Sequence, residues 1–233
     1  TIELRTSWRT YALNALLRLT MRKRLTLDSD IAALRLDYAR LDARHFKLAE
    51  GVARTPVECG GGPAEWVTVP QSRSERVILY LHGGSFVFRF PNAHAVLASR
   101  LCRRLGARAL IPDYRLAPEH PFPAAPEDCH GAYRGLLAQG VLPENIVLAG
   151  DSAGGNLALV TLHRARMAGE PLPRCAVLLS PALDCTLGSP SMSLYDGEDP
   201  MIQLSALLVL RQFYVPSPYQ YTDPEVSPLF AEF

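Results

Sequence analysis

The sequence lacks a C-x-x-C pair. Its five cysteines, Cys59, Cys102, Cys129, Cys175 and Cys185, are odd in number and widely spaced. That pattern argues against a disulfide framework and a zinc site, and it fits a reducing cytoplasm. No stretch approaches the roughly 20 consecutive apolar residues that a membrane-spanning helix needs, and no charged-then-apolar segment of the secretory kind opens the chain. An excess of one charge is missing too: 24 Lys and Arg against 23 Asp and Glu leave a net charge of +1. Nothing in that balance favours nucleic acid as a partner. Basic residues gather locally at Arg5, Arg9, Arg18, Arg22, Lys23 and Arg24, which reads as a solvated helix face rather than a membrane attachment. There is no internal repeat, and the only compositional oddity is the short cluster Gly60-Gly61-Gly62.

What is present is a chain of 233 residues with 48% hydrophobic content, enough to bury the core of one domain, or of one domain with a small appendage. Its most informative stretch is Ile146-Val147-Leu148-Ala149-Gly150-Asp151-Ser152-Ala153-Gly154-Gly155-Asn156. A β-branched apolar run meets a serine flanked by glycines, and a helix-forming segment follows at once. This is the strand, sharp turn, helix order of a nucleophile elbow. A serine at the tip of so tight a turn brings its neighbours two residues away against strand and helix, where a Cβ would collide, so Gly150 and Gly154 relieve the crowding. The same turn presents the first N–H groups of the helix to whatever Ser152 attacks.

The rest of the chain supplies the setting. Apolar residues at helical spacing (Leu4, Trp8, Tyr11, Ala15, Leu16, Leu19) predict a helix over 4–21, and a second helix starts near Asp28 and carries Ile31, Leu34, Tyr38 and Leu41. Both precede any strand, either as packing elements or as a mobile cover over a site. Residues 65–70 read as an outer strand and 77–82 as a fully buried one. Helices at 92–105, with Asn92 as cap, 126–139, 153–167 and near 204–214 then alternate with strands at 107–112, 146–149 and 175–179. The alternation predicts an α/β fold, a mostly parallel sheet flanked by helices, whose ligands bind at the carboxyl ends of the strands. His82 and Ser152 both sit at such ends.

After the 77–82 strand comes His82-Gly83-Gly84-Ser85-Phe86, a glycine-rich loop whose backbone N–H groups can approach a ligand unobstructed. With the N–H of Ala153 it offers two or three donors for one carbonyl oxygen, which suits an oxyanion hole. That loop, the segment Asp113-Tyr114-Arg115-Leu116-Ala117-Pro118-Glu119-His120-Pro121-Phe122-Pro123-Ala124-Ala125, and Gly150-Asp151-Ser152-Ala153-Gly154-Gly155 resemble, in order and context, the hormone-sensitive-lipase family of α/β hydrolases. Asp223-Pro224-Glu225-Val226-Ser227-Pro228-Leu229 is similar to a further segment of that family, so the resemblance runs from about Val67 to the end of the chain. It implies an α/β-hydrolase fold, with residues 1–48 as a helical cap and 49–233 as the catalytic domain. It implies hydrolysis of short to medium acyl esters through an acyl-enzyme on Ser152. Gly83, Gly84 and Ala153, with Ser85 as a further donor, would hold the oxyanion, and Trp8, Tyr11 and the aromatics near Phe213 become candidate pocket walls. Ser85 departs from the family, which has a third glycine there; main-chain donors survive that change if the backbone angles are allowed.

A serine hydroxyl needs a base and the base an orienting acid, which in this fold follow the serine as acid, then histidine. The only histidine after Ser152 is His163, eleven residues along the same helix, or about 16 Å away at 1.5 Å per residue. His45, His94, His120 and His130 fall in helices, their flanks or a proline-rich turn, and the resemblance assigns His82 to shaping the oxyanion loop. Asp184, Asp196, Asp199 and Asp223 follow the serine, but an acid without its histidine makes no triad. The resemblance implies that the domain is C-terminally incomplete, the acid and histidine lying on further strands and helices. Without them the 175–179 strand would leave an apolar edge open, for a missing segment or a second chain to cover. The expected partner is a small-molecule ester, with no nucleic acid, membrane span, metal or cofactor. The alternative is a non-catalytic small-molecule-binding protein on the same fold.

Overall fold

A computed structural model of the chain describes residues 7–21 and 25–232. Leu4, Arg5, Arg22, Lys23 and Arg24, which carry parts of the N-terminal reading, lie outside those residues. Helices α1 (Trp8–Met21) and α2 (Ile31–His45) come first, followed by a hairpin of β1 (Ala53–Cys59) and β2 (Gly62–Thr68). The alternating part then runs β3 (Val77–Leu81), α3 (Pro91–Leu105), β4 (Arg108–Pro112), α4 (Ala124–Ala138), β5 (Ile146–Asp151), α5 (Ala153–Met167) and β6 (Cys175–Leu179). Short α6 (Pro190–Leu194) and α7 (Leu204–Tyr214) follow.

The six strands form one sheet in the order β1-β2-β4-β3-β5-β6. β4, β3, β5 and β6 are parallel, while β2 runs antiparallel to both β1 and β4. Parallel strands need crossover helices, and these cover both faces. Every residue of β3 is therefore buried. Its alternate side chains feed two cores. Leu79 and Leu81 pack with Tyr133, Leu136 and Leu157 of α4 and α5, while Ile78 and Tyr80 pack with Ala95, Ala98 and Cys102 of α3.

Several boundaries shift from the sequence reading for local reasons. β1 was not evident, because Pro56 and Glu58 interrupt a strand pattern; it pairs only with β2, at the sheet edge where proline is tolerated. Asn92 is not the cap of α3. Pro91 opens that helix, and the carboxylate of Asp42 on α2 accepts the N–H groups of Asn92 and Ala93 at 2.8 and 2.9 Å. One helix thus caps another with an acid, which also suits the positive end of the α3 dipole. Arg35 adds a second anchor for α2, donating to Val87 O and Ala117 O and pairing with Glu119.

β6 has a neighbour on one side only, and its Val177 and Leu179 are 46% and 41% exposed. The apolar edge expected from the sequence is present among the described residues. The same residues contain no helix long and apolar enough to cross a membrane.

Candidate active site

Ser152 joins β5 to α5 with φ 52 and ψ −120, a conformation rare for a residue bearing a Cβ. The crowding expected at the turn is real. A Cβ on Gly150 would lie 2.2 Å from Gly154 O, and one on Gly154 would lie 1.9 Å from Leu81 O. Two further bonds hold the turn from the β6 side: Ser152 N–H donates to Leu179 O, and Ala182 N–H donates to Ser152 O, both at 3.0 Å.

The glycine-rich loop after β3 lies against this turn. Asp151 makes the join, its Oδ1 accepting from Tyr80 OH at 2.7 Å and from Gly83 N–H at 3.0 Å. Burial, reinforced by that carboxylate, pushes the Tyr80 phenol up, so it stays a donor. The N–H of Gly83, expected as an oxyanion donor, is engaged by Asp151 Oδ1 in this structure. The N–H groups of Gly84, Ser85 and Ala153 meet no acceptor among the described residues. Gly84 has φ +125, and a Cβ there would strike Phe88 O at 2.1 Å. Ser85 sits at φ +56, in the small left-handed region that a non-glycine residue reaches at some cost.

His82 is fully buried beneath the loop, stacked on Tyr114 at 4.1 Å and on His94 at 5.2 Å. Its Nδ1 lies 2.8 Å from Gly83 O, which can only accept, so that nitrogen carries the proton. Burial holds its pKa well below the ordinary imidazole value, and His94 nearby pushes the same way. The ring supports the loop as a neutral side chain.

Two cavities open at Ser152. One, of about 80 Å³, is lined by Ser85, Ser152, Ala153, Cys185, Leu187 and Tyr214, among others. The other, of about 160 Å³, lies between α2 and α7, with Leu34, Tyr38, Ser152, Met201, Ile202 and Leu207 in its wall. Leu207 and Leu210 border both. Of the proposed pocket walls, Tyr214 lines the smaller cavity, whereas Phe213, Trp8 and Tyr11 are in neither lining and the latter two are exposed.

No described histidine lines either cavity. His130 Nε2 is paired with Glu170 at 2.7 Å, and His163 lies mid-way along α5. Asp184 does reach the smaller cavity, but its Oδ1 accepts from both the N–H and the hydroxyl of Thr186. The 223–229 segment folds back on α5. Asn156, wholly buried, donates to Ala182 O and Val226 O at 2.8 Å each, and Arg164 pairs with Glu225. Asn156 and Asp151 are the supporting residues that sequence reasoning passed over, although both stand inside the motif around Ser152. No group of three or more His, Cys, Asp or Glu able to hold a metal occurs among the described residues.

Residues 78–233 match a family described by the alpha/beta hydrolase fold. An esterase of Acinetobacter venetianus is 35% identical over 225 residues, spanning 97% of this chain and 74% of its own length. The chain belongs to the hormone-sensitive-lipase family of α/β hydrolases. An acetyl-hydrolase of Streptomyces hygroscopicus is 41% identical over 168 residues, 72% of this hydrolase chain and 54% of its own. The crystal structure of an esterase from the bacterial hormone-sensitive lipase family superposes with a TM-score of 0.86 at 36% identity, covering 98% of this chain and 75% of that one. That of EstE5 soaked with ethyl alcohol gives a TM-score of 0.88 at 36% identity, with 97% and 75% covered.

Proposed function

We propose that this α/β hydrolase carries the nucleophile and the oxyanion donors of a carboxylic ester hydrolase acting on short to medium acyl esters. The observation that carries the reading is the strained turn at Ser152, which faces two cavities beside three N–H groups, of Gly84, Ser85 and Ala153, that no described acceptor occupies. On this reading Ser152 Oγ attacks the ester carbonyl carbon, and the carbonyl oxygen takes the negative charge where those donors can meet it. Loss of one such donor costs about 3 kcal/mol of transition-state stabilisation. The alcohol then leaves with a proton, and water hydrolyses the acyl-enzyme to release the acid and restore Ser152. The smaller, mainly apolar cavity suits the acyl group, and the larger one suits the alcohol. Acyl transfer to serine calls on no metal or organic cofactor.

Among the described residues no histidine lines the two cavities, and Asp184, which lines the smaller one, is engaged by Thr186. On this reading the general base and its acid come from outside the described residues, on a further segment or a second chain. The five cysteines are all free, which supports placing the reaction in the reducing cytoplasm. That no described histidine lines either cavity favours a second reading, a binding protein that holds small apolar ligands at the same cavities without turnover. Hydrolysis of p-nitrophenyl butyrate, abolished by Ser152→Ala, is the result expected for the esterase. Saturable binding of that ester with no release of p-nitrophenol, in protein supplied with the segment or chain that covers the free edge of β6, would establish the binding protein instead.

A further inference from the structure

The loop after β3 places a serine where glycine would be easier to hold. Ser85 and Phe86 both stand at positive φ, 56 and 62. The turn that carries them is fixed from two sides. Gly84 O accepts the N–H groups of Val87 and Phe88 at 3.0 and 2.8 Å, and the buried Phe86 ring stacks on Tyr214 at 3.7 Å. A residue with a Cβ keeps such angles only where its surroundings over-determine them, and strain of this kind gathers at functional sites. Ser85 is half-buried, and its hydroxyl has no hydrogen-bond partner among the described residues.

The two cavities at Ser152 share four lining residues: Ser85, Ser152, Leu207 and Leu210. An ester with its acyl group in one cavity and its alcohol in the other must lay its scissile bond across that junction. Leu207 and Leu210 bring only apolar side chains to it, so its two hydroxyls are those of Ser152 and Ser85. Ser152 is spent as the nucleophile, which leaves Ser85. Its hydroxyl hydrogen turns to suit a nearby acceptor, and the apolar surroundings strengthen any bond it makes to a developing charge.

We propose that Ser85 is a catalytic residue whose side-chain hydroxyl donates to the oxyanion, beside the N–H groups of Gly84, Ser85 and Ala153. The inference rests on the ester-hydrolase reading. As Ser152 Oγ bonds to the carbonyl carbon, its proton passes to the imidazole base that the reading places on a further segment or second chain. The C=O electron pair moves onto oxygen, and Ser85 Oγ–H donates to that oxygen while keeping its own proton. The ester ground state carries less charge there, so the effect falls on kcat and not on KM. The experiment is p-nitrophenyl butyrate kinetics in protein supplied with the segment or chain that covers the free edge of β6. Wild type is compared with Ser85→Ala, Ser85→Gly and Ser152→Ala. Ser85→Ala keeps the Cβ and removes only the hydroxyl, while Ser85→Gly also relieves the backbone and so folds without strain. Both lower kcat about tenfold or more with KM within about twofold, and Ser85→Gly does so at a urea midpoint no lower than that of wild type. An unchanged kcat in Ser85→Ala, a loss confined to KM, or a loss that Ser85→Gly restores would overturn the role of the hydroxyl and leave the esterase reading standing. Absence of any hydrolysis that Ser152→Ala abolishes would overturn both.

Discussion

Gly154→Ala sets local helix preference against close packing, and the two predict opposite signs. Position 154 lies in the first turn of α5, where alanine is favoured over glycine by about 1 kcal/mol on propensity alone. In the folded protein the new Cβ would stand 1.9 Å from Leu81 O, 2.6 Å from Leu81 C and 2.7 Å from His82 C. All three are backbone atoms at the end of β3, so no side chain can swing aside. The nearest contact is about 1.5 Å short of an ordinary 3.4 Å approach, so helix and strand must part by most of that distance. Overpacking of a rigid core costs about 1 to 3 kcal/mol, and more where backbone must move. We expect a net loss of about 3 kcal/mol, or a fall in melting temperature of about 6–12 °C for a chain of this size. Gly62→Ala is the control, because a Cβ there meets nothing within 4 Å and should leave stability unchanged or slightly raised. Paired urea and thermal unfolding of both variants decides the matter. A Gly154→Ala protein as stable as wild type would refute the contact and with it the packing of the turn against β3.

Ser85→Gly relieves a left-handed residue, an arrangement worth about 1–2 kcal/mol, of which glycine's greater freedom in the unfolded chain gives back about 0.5–1; urea unfolding should show a gain of about 0.5–1 kcal/mol. Asp42→Ala strips two N–H groups of α3 of their acceptor, costing about 1–2 kcal/mol, and proteolysis should release the α2 region before the sheet opens. His82 is held neutral, its folded pKa below the 6.5 of an exposed imidazole. Below that pH the unfolded chain binds a proton that the folded chain refuses, so its contribution is complete above about pH 6.5 and declines as acid is added. The urea midpoint should therefore fall between pH 7 and 5, and His82→Gln should flatten that slope; an unchanged slope would exclude the group.

The turn at Ser152 was legible because its determinants are adjacent in sequence: an apolar run, small residues at 150 and 154, and a helix former after them. The sheet was legible from the same alternation, except β1, whose Pro56 and Glu58 are acceptable only at an edge that pairing with β2 creates. The donors were harder. Gly83 and Gly84 look alike as letters, and only the reach of Asp151 across 68 residues decides which N–H is taken. Periodicity foresaw the helix that carries Trp8, Tyr11, Ala15, Leu16 and Leu19, but a helical repeat does not say whether its apolar residues meet protein or solvent, and these are exposed. The cap on α3 escaped notice because the residue supplying it stands 50 positions away.

The bonds between Ser152 and the end of β6 have a mechanical consequence. Ser152 N–H and carbonyl are both held there, at Leu179 and Ala182, while β6 offers its far edge to no described strand. The outermost strand is therefore a lever with one arm on the serine backbone and the other in reach of any strand that adds to the sheet. A neighbour that straightened or twisted β6 would re-aim Ser152 directly, with no need of a relay through the core.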